Sequence, residues 1–204
     1  DGVFSRIAGA DHEPVHAIVC AGDGGVWAIS RRQLYRVEAT GAHAVGDEAG
    51  APADVRAIAV APDGALWLAG IDGRLYRGGA TGFVASAGPS PGDERPRSLL
   101  FTRDGAVWLG MTRGLLRGAA GEWTRELTDE EDILALREDR DGNLWAATQA
   151  RGVLRRGVDG RWERHDRGSG LGNDFVHVLL EDREGGLWIG TQDAGAQRLA
   201  DPPF

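Results

Sequence analysis

The sequence predicts an all-β fold, a β-propeller of five four-stranded blades. Three observations predict it. A tryptophan recurs five times, at Trp27, Trp67, Trp108, Trp145 and Trp188, at intervals of 40, 41, 37 and 43 residues. Each tryptophan follows an acid–glycine pair at fixed distance: DGGVWAIS (23–30), DGALWLAG (63–70), DGAVWLGM (104–111), DGNLWAAT (141–148) and EGGLWIGT (184–191). No stretch of useful length shows the 3.6-residue apolar period with caps that marks a helix.

The elements of one unit follow in order. An apolar strand precedes each turn: VHAIVC (15–20), VRAIAV (55–60), PRSLLF (96–101), ILALRE (133–138) and VHVLLE (176–181). ILALREDRDG passes for a helical turn in isolation, but its alignment with four strand-like sister segments overrules that. Asp-Gly between apolar runs is a strong hairpin signal, because glycine accepts the positive φ that primed turns need. The tryptophan strand comes next. A third strand follows: QLYRV (33–37), RLYRG (74–78), LLRG (115–118), VLRRG (153–157) and AQRLA (196–200). The fourth is a turn plus an aromatic or small residue: GAHAV (41–45), GFVAS (82–86), GEWTREL (121–127) and GRWERH (160–165).

The opening DGVFSRI (1–7) matches a fourth strand, and the sequence stops after the third strand of the last unit. The expectation is therefore one domain over 1–204, with the N-terminal strand pairing in the last blade to close the ring. Closure removes the exposed edge that invites aggregation. A slice of a larger ring is the competing reading. A stacked solenoid is disfavoured, since β-solenoid repeats run to roughly 20–29 residues.

Composition narrows the function classes. With 204 residues, 42% apolar and 26% charged, there is material for a core, and disorder is excluded. No run of about 18 apolar residues exists, so no membrane insertion by this segment is expected. The opening DGVFSRIAG lacks a signal-peptide layout and reads as the interior of a mature protein. A net charge of −8 argues against a nucleic-acid partner. The 32 glycines, without a three-residue period, mean many turns. Lysine is absent, and an arginine bias with abundant Ala and Gly is what a GC-rich coding sequence produces. Cys20 is the single cysteine, which excludes an intrachain disulfide and a cysteine metal cluster. Its apolar surroundings suggest a buried small hydrophobe.

No catalytic constellation is visible, and the chain is expected not to be an enzyme. His12, His16, His43, His165 and His177 form no zinc-binding pair, and neither a G-x-S-x-G elbow nor a P-loop is present. The run Asp129-Glu130-Glu131-Asp132 reads as a solvated loop. DRDGN (139–143) resembles the start of a calcium loop but lacks the later glutamate. No metal and no cofactor are expected. A tryptophan in every unit is most simply a packing residue, with its N–H bonded if buried.

The candidate site lies where the units differ. The second residue of each first strand is His16, Arg56, Arg97, Leu134 or His177. This strand is innermost in a propeller, so four blades offer a basic or imidazole group near one channel mouth. The loops after the tryptophan strands add Arg32, Arg113 and Arg151. Guanidinium forks suit carboxylates, which suggests an anionic or polyhydroxyl carbohydrate ligand. The alternative is that these cations pair with acids such as Asp54, Glu94 and Asp174.

The last unit, FVHVLLEDREGGLWIGTQDAGAQRL (175–199), resembles the two-component-regulator propeller repeat: an apolar strand, then D-x-x-G-x-L-W-I-G-T, then G-L-x-R. ILALREDRDGNLWAATQARGVLRR (133–156) matches nearly as well, the third unit keeps DGAVWLG and RGLLR, and the first two drift. The resemblance implies a periplasmic or extracellular ligand-sensing domain of a bacterial signal-transduction receptor, ahead of a membrane helix and an output domain. Such receptors usually carry more repeats per ring, and no output domain is present here. The alternatives are a lyase-like carbohydrate-active enzyme, or a freestanding lectin or protein-binding scaffold. Trp123 and Trp162 are the aromatics that could serve a lectin.

Overall fold

A computed structural model describes residues 14–30, 33–86, 88–89, 93–119, 122–128 and 131–199. The fold is an all-β propeller of five blades, in two compact units, Asp1–Pro96 and Arg97–Phe204. The first unit holds β1 (Val15–Cys20), β2 (Val26–Ser30), β3 (Gln33–Glu38) and β4 (Gly41–Val45), then β5 (Val55–Val60), β6 (Leu66–Gly70), β7 (Leu75–Gly79) and β8 (Gly82–Ser86). The third blade is β9 (Pro96–Phe101), β10 (Val107–Met111), β11 (Gly114–Ala119) and β12 (Glu122–Leu127). The fourth is β13 (Ile133–Glu138), β14 (Leu144–Thr148), β15 (Val153–Arg156) and β16 (Trp162–His165). The fifth is β17 (Val176–Glu181), β18 (Leu187–Thr191) and β19 (Ala196–Leu199).

Four sheets are four-stranded meanders, and the fifth shows three strands among the described residues. The segment expected to complete it, residues 1–7, and with it the ring closure, lies outside the described residues. The five first strands have the predicted bounds. Two short 3-10 turns, Asp47–Ala49 and Arg167–Ser169, are the helical elements described.

The turns explain the acid–glycine signature. Gly24, Gly64, Gly105, Gly142 and Gly185 all have φ between 78° and 91°, in the left-handed region. The N–H of Gly24 donates to the Ala21 carbonyl at 2.9 Å, and the Ala21 N–H donates to the Gly25 carbonyl at 2.8 Å. This is a three-residue loop closing on a left-handed glycine, not the two-residue primed turn the sequence suggests. In the first three blades the turn acid caps the loop itself: Asp23, Asp63 and Asp104 each accept from the backbone N–H two residues on, at 2.8, 3.0 and 3.1 Å.

In the fourth and fifth blades an aspartate two residues earlier takes that role. Asp139 accepts from the N–H groups of Asp141 and Asn143, from Asn143 Nδ2 and from Trp145 Nε1. Burial opposes its charge, but these donors outweigh it and hold the carboxyl below the usual carboxylate range. Asp182 does the same for Glu184 and Gly186, and takes Trp188 Nε1 and Arg198 Nε at 2.8 Å each. The Arg198 bond depresses its pKa most.

The tryptophans pack between blades where a following blade covers them. Trp27 meets Phe83 of the second blade edge-on, with ring centroids 5.9 Å apart, in a cluster with Ile29, Val55, Ile58 and Leu68. Trp108 packs with Ile133, Leu144 and Leu154, and Trp145 with Val176, Leu179 and Leu187. Trp67 is half-buried, while Trp188 is 40% exposed, against the packing expectation. Among the described residues the buried Trp27 Nε1 has no hydrogen-bond partner, because Ala21 stands where Asp139 stands in the fourth blade.

Cys20 is exposed, not buried. In β1 the face of Ala17 and Val19 packs on the core of the first unit, and Cys20 alternates onto the opposite face beside Ile18, which is 64% exposed.

Candidate functional site

The bulges place the predicted site residues. Val15 pairs with Ser30 and Ala17 with Ile29, so His16 is one extra residue opposite a continuous partner strand. Arg56, Leu134 and His177 occupy the same bulge in their blades. A bulge turns its extra side chain away from the regular alternation, which is how this position leaves the packed faces in these four blades. The pairing register that creates it is not visible in a lone strand's sequence.

In the first unit, His16 is exposed, and Arg56 meets Asp54 with two contacts of 2.9 Å (Nη2–Oδ2 and Nε–Oδ1). In the second unit, Arg97 Nη2 donates to Asp132 Oδ2 at 2.8 Å. His177 is exposed and lies against Phe175, with centroids 4.5 Å apart. Arg113 is exposed, and its carbonyl accepts from Arg125 Nη1 at 2.8 Å. Arg32 lies outside the described residues.

The acidic run is not a solvated loop at its far end. Glu131 is 5% exposed, and its Oε1 accepts from Arg164 Nη2 at 2.7 Å and Arg151 Nη1 at 3.3 Å. Arg164 Nη1 also donates to the Arg151 carbonyl at 3.2 Å. Two guanidinium groups thus replace water around the buried Glu131 carboxyl group. Arg56, Arg97 and Arg151 thus each have a carboxylate, Asp54 and Asp132 being two of them.

At the opposite ends of the strands, the second unit holds a groove of about 390 Å³ between the turns of its third and fourth blades. Its walls carry Arg103, Arg117, Arg140 and Arg156 around Trp108. The guanidinium carbons of Arg117 and Arg156 lie 5.6 and 5.5 Å from the Trp108 ring centroid. Both are weakly paired: Arg117 Nη2 reaches Asp104 Oδ2 at 3.4 Å, and Arg156 Nε lies 3.5 Å from Glu126 Oε2. Both Nε atoms are buried and have no hydrogen-bond partner among the described residues. Asp104 stays ionised, its carboxyl held below the usual range first by the Thr102 hydroxyl, then by the Ala106 N–H.

The first unit repeats this groove with other chemistry. Its counterpart, about 420 Å³, is lined by Gly22, Asp23, Asp63, Gly64 and Gly78, with no arginine among its walls. There the turns touch directly: the Gly22 N–H donates to the Gly64 carbonyl at 3.1 Å, and a Cβ on Gly22 would meet the Gly64 Cα at 2.7 Å. The arginine groove was missed by sequence reasoning. Its signal is the residue before the turn acid, Gly22 and Pro62 early but Arg103 and Arg140 later.

Residues 127–150 and 170–193 match the family model described as Two component regulator propeller. No curated protein matches the sequence significantly. The fold is similar to the extracellular domain of a protein assigned as a hybrid two-component system from B. thetaiotaomicron: 21% identity, TM-score 0.74, covering 93% of this chain and 27% of that one. The extracellular domain of one assigned as a one-component system from the same organism gives 21% and 0.75, over 90% of this chain and 27% of that one. A catalytically inactive virginiamycin B lyase from Staphylococcus aureus gives 15% and 0.69, over 92% and 70%. The chain thus spans about a quarter of the length of each of these two extracellular domains. Among the described residues no helix is long and apolar enough to cross a membrane, and no group of His, Cys, Asp and Glu could hold a metal ion.

Proposed function

We propose that this propeller, with its two-component-regulator repeats at 127–150 and 170–193, is a non-enzymatic ligand-sensing domain of a bacterial signal-transduction receptor, acting outside the cytoplasm. The family match and the likeness to sensor ectodomains support the setting. The observation that carries a ligand is the pair Arg117 and Arg156, two guanidinium groups in the wall of one groove beside one indole, each with its nearest carboxylate oxygen no closer than 3.4 Å. Each guanidinium has five N–H donors in a rigid fork that fits a carboxylate bidentately. Arg56, Arg97 and Arg151 at the loop end already donate to carboxylates, so the groove is the better-supplied set.

The ligand is an anionic carbohydrate, such as an acidic oligosaccharide whose carboxylate bridges the two arginines. Calorimetric titration with galacturonic acid oligomers and, separately, neutral galactose oligomers tests this. Binding of the acidic oligomer alone, weakened by salt, is expected, because exposed charge attraction is screened within about 8 Å at physiological ionic strength. Equal binding of both oligomers, or of neither, would contradict the reading.

A further inference from the structure

An Asp-Gly pair is open to succinimide formation, because glycine has no Cβ to hinder attack of its amide nitrogen on the neighbouring carboxyl carbon. Six such pairs lie among the described residues: Asp23-Gly24, Asp63-Gly64, Asp72-Gly73, Asp104-Gly105, Asp141-Gly142 and Asp159-Gly160. Their backbones are alike. Each glycine has φ between 75° and 83°, and each glycine N–H donates to the carbonyl three residues earlier, at 2.9 to 3.1 Å. All six aspartates are exposed. Neither the turn nor exposure separates one pair from another.

The carboxyl groups do. Asp23, Asp63, Asp72, Asp104 and Asp159 each accept, on Oδ1, the backbone N–H two residues on, at 2.8 to 3.1 Å. That bond fixes the side chain and favours its charged form. Second donors add to it: Arg77 Nη2 on Asp63 and the Tyr76 hydroxyl on Asp72, both at 2.8 Å, and the Thr102 hydroxyl on Asp104 at 2.6 Å. Asp63 and Asp104 are held below the usual carboxylate range, first by the Ala65 N–H and the Thr102 hydroxyl respectively. Less of their neutral acid, the form that can lose its hydroxyl, is therefore present. In the fourth blade Asp139 takes the donor instead. The Asn143 N–H goes to Asp139 Oδ1 at 2.8 Å, and the Asp141 N–H joins it at 3.0 Å. Among the described residues the Asp141 carboxyl group has no hydrogen bond and no ion pair. The fifth blade shares the arrangement through Asp182, but Glu184 stands at the turn position, and its longer side chain does not form the same ring.

We propose that, of these pairs, Asp141-Gly142 is the site of spontaneous isoaspartate formation. The Gly142 nitrogen attacks Cγ of the protonated Asp141 carboxyl group. The N–Cγ bond forms, the Cγ–OH bond breaks, and the hydroxyl leaves with the amide proton as water. A second water then opens the ring. Opening at the Asp141 main-chain carbonyl breaks the original peptide bond, leaves a carboxylate there and routes the chain through Cγ. One water is lost and one regained, so the mass is unchanged. The product inserts a methylene into the turn that Asp139 ties to Trp145, in the wall of the arginine groove. The reaction needs no ligand in that groove.

The test ages the intact chain in mildly acidic buffer at body temperature. Peptide mapping with electron-transfer fragmentation then follows isoaspartate at each of the six pairs. Asp141 should lead the other five by about fivefold, the factor that one hydrogen bond to the carboxyl group is worth. In concentrated urea, where the turns are gone, the six should react at similar rates. Ala21→Asp gives the first blade the arrangement of the fourth, so Asp23 should rise to the rate of Asp141 in that variant. Equal rates at all six pairs in the folded chain, isoaspartate at none of them, or a lead of Asp141 that persists in urea would overturn the proposal. So would an unchanged rate at Asp23 in a folded Ala21→Asp chain.

Discussion

Trp145 Nε1 donates to Asp139 Oδ2 at 2.7 Å, and both residues are buried. One carboxylate thereby ties the hairpin loop, through the Asp141 and Asn143 N–H groups, to the indole that packs on the next blade. Trp145→Ala removes the indole and leaves a cavity among Val176, Leu179 and Leu187. A loss of about 3–5 kcal/mol in denaturant unfolding is expected. A loss below about 1 kcal/mol would place the ring outside the core.

The same relationship predicts a stabilised variant. Trp27 Nε1 is buried with no partner among the described residues, and Ala21 has the backbone position of Asp139, closing its turn with the same N–H···O bond, 2.8 Å against 3.0 Å. Ala21→Asp should give that indole an acceptor and stabilise the chain by about 1 kcal/mol, a hydrogen bond to a charged group being worth about 1.5–3 kcal/mol before the cost of burial. Thermal unfolding checks it, and a lower melting temperature would show that the first blade cannot turn the carboxylate inward.

Stability should fall in acid. The folded-state pKa values of Asp104, Asp139 and Asp182 are all depressed. Each therefore contributes stability that is present above the unfolded value, about 3.8–3.9, and is lost as pH falls through the folded value. Urea midpoints measured downward from pH 5 should hold to about pH 4 and then drop. The drop should be shallower in Asp139→Asn, which has no such proton to take up.

Glu131 stands between two arginines with 5% exposure. Glu131→Gln keeps the shape and removes the charge, leaving Arg151 and Arg164 facing each other. A loss of about 1–3 kcal/mol is expected in chemical unfolding, since bonds to a charged acceptor are lost. No loss would mean that solvent already satisfies both guanidinium groups.

The strands and the repeat were legible because each acid–glycine pair fixes where one strand ends and the next begins. The site was legible only in part. His16, Arg56 and His177 were found as variable positions, but the bulge that turns them out depends on pairing with β2, β6 and β18. Glu131 was misread because a charge run looks like a loop until its partner Arg164, 33 residues later, is brought to it. The arginine groove was missed for the same reason. Arg103 and Arg140 acquire meaning only once adjacent turns are known to lie side by side.

The proposed anionic-ligand site is tested most directly by one comparison of dissociation constants for a galacturonic acid oligomer. Arg117→Ala with Arg156→Ala should weaken binding at least about tenfold, the loss of about 1.4 kcal/mol or more that removing charged hydrogen bonds brings. Arg56→Ala with Arg97→Ala should leave the constant within about twofold and lower the melting temperature, because Asp54 and Asp132 lose their partners. The reverse result, binding lost with the loop-end pair and kept with the groove pair, would contradict the account and return the site to the channel mouth.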